Sequence, residues 1–69
     1  MELTGRASRR GGEWVLTDGA GKQYRLSGEA LPARCEGLMV RVVGVLEDSF
    51  GLGVLHEEAV LRVQRWRVV

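Results

Sequence analysis

Apolar and polar residues alternate with a period of two along this chain, in short runs broken by glycine-containing turns. Half-buried antiparallel strands read this way. Five runs follow the pattern. The first, Leu3–Arg9, sets Leu3, Gly5 and Ala7 on one face and Thr4, Arg6 and Ser8 on the other, and the small inward residues suit a sharply curved strand. Gly11-Gly12 follows and supplies the positive φ of a hairpin turn. The second run, Glu13–Asp18, and the third, Lys22–Ser27, flank the glycine-rich reversal Asp18-Gly19-Ala20-Gly21. Together they predict a hairpin with Trp14, Leu16, Tyr24 and Leu26 turned inward.

Between Gly28 and Gly37 the period changes. Leu31 and Cys35 are four apart, Pro32 suits a first helical turn and Gly37 suits the position past a C-cap, so the spacing predicts a helix of about two turns. The fourth run, Leu38–Leu46, is rich in valine, and Gly44 marks a bend, a bulge or a close approach of backbone. Asp48–Gly53 reads as a loop, and Val54–Glu58 as either a short extended piece or a turn. In the last run, Val60–Val68, Leu61 and Val63 are in one phase and Trp66 and Val68 in the other. A continuous strand there needs a bulge near Gln64-Arg65.

Three strands, a short helix and two more strands resemble the OB-fold, a five-stranded Greek-key barrel. The resemblance runs from Leu3 to Val68. It is carried by the hairpin Trp14-Val15-Leu16 to Tyr24-Arg25-Leu26, by the Leu31–Cys35 helix, and by Val40-Arg41-Val42-Val43-Gly44-Val45, which is similar to a strand of small bacterial OB domains. The expectation is a single all-β domain over residues 1–69, a small OB-like barrel with one short helix between strands 3 and 4. An SH3-like barrel is the alternative.

Sixty-nine residues leave room for one core. Cys35 has no partner for an internal disulfide, so packing alone must hold the fold. The start Met1-Glu2-Leu3-Thr4-Gly5-Arg6 shows no apolar run behind a basic region, so the chain is expected in the cytoplasm. Leu38–Leu46 is less than half the roughly 20 residues of a membrane-spanning helix, and no membrane partner is expected. The absence of Asn and Ile and the preference for Arg over Lys suit a GC-rich genome, and the scarcity of thermolabile residues suits a thermophile.

Several chemistries are unfavoured by the residues themselves. Gly19-Ala20-Gly21-Lys22 lacks the glycine and the hydroxyl residue of a phosphate-binding P-loop, having Leu16 and Gln23 at those places. Gly51-Leu52-Gly53 lacks the third glycine of a dinucleotide site. Cys35 and His56 are too few to hold a structural metal, and Cys35 reads as a small core residue. The adjacent carboxylates Glu47-Asp48 and Glu57-Glu58 point to opposite sides of an extended chain. No acid, base, nucleophile and oxyanion set assembles, so neither an enzyme nor a cofactor is expected.

Charge is what remains. The formal net charge is +1, but residues 1–27 carry +2, residues 28–58 carry −4 and residues 59–69 carry +3. This asymmetry matters if folding brings the two ends together. In an OB-like barrel the second and third strands, with the first and last long loops, form the usual binding groove. The resemblance therefore implies a nucleic-acid site at Arg9, Arg10, Lys22 and Arg25, with Phe50 placed either to stack on a base or to anchor its loop. The expected partner is single-stranded DNA or RNA, bound weakly and without sequence specificity. The alternative is a protein partner or a homo-oligomer that uses Val15, Val43 and Val45 as contact surface.

Overall fold

The computed structural model describes residues 1–48 and 59–69. Five strands form it: β1 (Glu2–Arg10), β2 (Glu13–Thr17), β3 (Gln23–Gly28), β4 (Met39–Asp48) and β5 (Ala59–Val68). They close into one barrel in the order β1-β2-β3-β5-β4. The first three strands form a meander, and β4 returns to lie beside β1, which is the Greek-key connection. β5 then closes the barrel, parallel to β3 and antiparallel to β4. The architecture is the expected small all-β barrel of five strands.

Register follows the alternation. Ala7 lies opposite Leu16, and Leu16 opposite Tyr24, so three inward residues form one row through the wall. These three are buried, with Trp14, Leu31, Cys35, Val40, Val42, Leu61 and Val63. Leu3, Leu26 and Trp66 pack against that cluster from its margins. In a five-stranded barrel the interior is side chains rather than a lumen.

Turns form where the sequence supplies their chemistry. Gly11 and Gly12 join β1 to β2 with φ of 58° and 83°. At the next reversal one carboxylate oxygen of Asp18 accepts hydrogen bonds from the Ala20 and Lys22 amides, each at 2.9 Å. These bonds add to the backbone pairings of the reversal, in which the Asp18 amide donates to the Lys22 carbonyl and the Gly21 amide to the Asp18 carbonyl.

The expected two-turn helix is a single 3-10 turn, Ala33–Cys35. Pro32 caps it in an extended conformation, at φ −68° and ψ 152°. Leu31 precedes a proline, which disfavours helical geometry there, so helix can start only after Pro32. Gly37 already turns the chain back at φ 82°. Leu31 and Cys35 are both buried, so the spacing reported burial correctly but not helix length. The amide of Gly37 donates to Ala7 at 2.7 Å, and that of Ala7 to Leu38 at 2.9 Å, tying this turn to β1.

The phase slip in the last strand is a bulge. Val43 faces Arg65 but Gly44 faces Val63, leaving Gln64 as the extra residue on β5. Beyond it the phase reverses, so Trp66 packs inward where a regular strand would turn it out.

Candidate nucleic-acid interface

Outward phase puts Arg6, Ser8 and Arg10 of β1 beside Glu13, Val15 and Thr17 of β2 and Gln23 and Arg25 of β3. Arg25 pairs with Glu13 at 2.9 Å, and Arg10 reaches the Gln23 side-chain oxygen at 3.5 Å. Arg10 and Arg25, two of the expected residues, therefore share the outer face of the meander. A carboxylate sits between them.

Arg9 and Lys22 belong elsewhere. Arg9 is in phase with Gly5 and Ala7, at the β1–β2 end of the barrel, where its guanidinium lies 5.6 Å from the Trp14 ring centre. Lys22 stands at the opposite end of β2, its ammonium 5.1 Å from the Tyr24 ring centre. Each covers the end of a core aromatic, an arrangement that suits a cation with a π face and an apolar stem. Phe50, the expected stacking residue, lies outside the described residues. Trp14 and Tyr24 are buried, as their phase requires, and Trp66 has the Arg34 guanidinium 5.7 Å from its ring centre.

A second basic face is formed by strands distant in sequence. β4 pairs with β1 on one side and β5 on the other, so the basic ends of the chain meet across it. The rows are Thr4–Arg41–Arg67 and Glu2–Val43–Arg65. Val40 and Val42 are fully buried, which turns Arg41 and Val43 outward. A groove of about 330 Å³ opens here, lined by Glu2, Arg41, Val43, Arg65, Trp66 and Arg67. Strand-by-strand reading did not join these residues into a site and placed only Val43 among them on an expected contact surface, because what assembles them is the long-range register.

Other chemistries have little to work with among the described residues. No three His, Cys, Asp or Glu side chains converge as metal ligands there. Cys35 is free and fully buried. No described helix is long and apolar enough to cross a membrane.

Fold and surface together define a small five-stranded β-barrel module whose outer strands carry arginines. Residues 4–67 match the family described as Protein of unknown function (DUF5818), and the chain belongs to that family. No curated protein matches the sequence, and no solved structure matches it.

Proposed function

We propose that this barrel binds single-stranded nucleic acid, weakly and without sequence specificity, through the outer face of β1, β2 and β3. The observation that carries this reading is the placement of Arg10 and Arg25 on one outer face. Guanidinium groups donate bidentate hydrogen bonds to phosphate oxygens whatever the base sequence. The Glu13–Arg25 contact does not prevent this. Both side chains are partly exposed, at 40% and 53%, and an ion pair open to solvent contributes about 0–1 kcal/mol, so a phosphate can displace the carboxylate.

The test is fluorescence anisotropy of labelled single-stranded DNA and RNA with the wild-type chain and with Arg10→Ala/Arg25→Ala. Binding that the double substitution removes supports the reading. Equal binding by both proteins contradicts the site.

One observation favours a second reading, association with a protein partner or a second copy. Leu38, Met39, Val68 and Val69 are all exposed, and the Val69 amide bonds to the Met39 carbonyl at 3.0 Å, placing them at one end of the β4–β5 pair. Val45, on the expected contact surface, is 49% exposed, whereas Val15 and Val43 are half-buried. Light scattering at increasing concentration separates a self-associating chain from a monomer.

A further inference from the structure

Arg41 and Arg67 lie directly opposite each other on β4 and β5. Residues so paired hold their Cβ atoms about 4.5–5.5 Å apart, and like charges there repel. Arg65 precedes Arg67 by two positions on the same exposed face, so among the described residues three guanidinium groups meet a single carboxylate, Glu2, around the groove. Glu2 satisfies little of this charge. Arg41 leans toward β1, where its Nε lies 3.4 Å from a Glu2 oxygen and 3.4 Å from the Thr4 hydroxyl. Both distances exceed the roughly 2.7–2.9 Å of a good charge-assisted hydrogen bond. Among the described residues neither Arg65 nor Arg67 has a carboxylate in ion-pair range.

The groove volume of about 330 Å³ falls within the roughly 300–1,000 Å³ of small-ligand sites. Its walls are strands of a closed barrel, so the guanidinium groups start from a rigid backbone and lose less freedom on binding than they would on a loop. An oxyanion seated among them would remove the repulsion between Arg41 and Arg67 and supply the acceptors that Glu2 does not.

We propose that the groove between β1, β4 and β5 is a phosphate-binding site, with Arg41, Arg65 and Arg67 as its donors and Glu2 as a competing internal anion. Two sources share this chemistry: the monoester of a free phosphate or nucleotide, and a diester unit of a strand. The inference does not rest on the meander face, since a free phosphate satisfies it.

The experiment follows the arginine Nε–H resonances of the ¹⁵N-labelled full chain. Inorganic phosphate, AMP and an oligodeoxynucleotide without terminal phosphates are each titrated at constant ionic strength against sodium chloride. Saturable shifts at Arg41, Arg65 and Arg67 are expected, confined to these three when the titrant is phosphate or AMP. Saturation by phosphate or AMP assigns the site to a monoester, and saturation by the oligonucleotide alone assigns it to a strand. Arg67→Gln should weaken the binding about three- to tenfold, as the loss of one charged hydrogen-bond donor in an open groove does. Glu2→Gln should tighten it, an outcome that a purely structural role for Glu2 would not produce. Two results would overturn the proposal. One is uniform, unsaturated movement of all arginine signals with every anion; the other is an affinity unchanged by Arg67→Gln. Shifts at Arg10 and Arg25 report separately on the meander face, so the failure of one site is distinguishable from the failure of the other.

Discussion

Gly44 on β4 presses its Cα against the backbone of Arg62 on β5, so closely that a Cβ built at Gly44 would run into the Arg62 carbonyl oxygen. Gly44 is itself in the strand, next to the bulge between Val43 and Gly44. The obstacle is backbone held in a closed ladder, not the far end of a flexible side chain. Gly44→Ala is therefore expected to lower stability by about 3 kcal/mol or more, beyond ordinary overpacking. Gly5 is also too tight against the Thr17 carbonyl for a Cβ, though less so than Gly44, and should be destabilised by alanine, whereas Gly19, which has open space, should accept alanine with little change. Urea denaturation of the three variants checks the order.

Glu13 opposes the function proposed for its own face while contributing little to the fold. Its contact with Arg25 is exposed, so Glu13→Gln should change stability by less than about 1 kcal/mol. The same substitution removes the negative charge of Glu13 from this face and should tighten single-strand binding. A denaturation midpoint and an anisotropy titration on one sample give both values.

Removing one of the two facing arginines should help the fold. Arg67→Gln ends the like-charge pair with Arg41 and is expected to raise stability by about 0.2–1 kcal/mol at low salt. The gain should fade at high salt, where the repulsion is already screened. Thermal melts at two ionic strengths measure it.

Cys35 is fully buried in the 3-10 turn between β3 and β4, with no disulfide partner. A thiol reagent should therefore label it at a rate that follows opening of the fold and rises steeply in denaturant. Rapid labelling of the native chain would contradict the burial.

The sequence announced its barrel where structure is local. Trp14, Leu16 and Tyr24 turn inward because a strand has a period of two, and the bulge at Gln64 was legible because Leu61 and Trp66 cannot both face the core of a regular strand. The segment before β4 departs from the expected helix because a spacing of four between Leu31 and Cys35 is equally met by an extended proline step followed by one 3-10 turn. The candidate site was legible only in part. Arg10 and Arg25 were brought to one face by neighbouring hairpins, but phase alone did not show that Arg9 and Lys22 would cover core aromatics at opposite ends of β2. The row Thr4–Arg41–Arg67 joins three strands from distant parts of the chain. No local pattern encodes such a row; it exists only once the barrel closes.

The most direct test of the proposed function is the salt dependence of single-strand binding by the wild-type chain and by Arg25→Ala, measured by anisotropy. Each lost phosphate contact to a single strand should reduce the slope of log K against log salt by about 0.7. The account predicts saturable binding at low salt, a steep decline as salt rises, and a shallower slope for Arg25→Ala. No binding at low salt, or identical slopes for the two proteins, would contradict it.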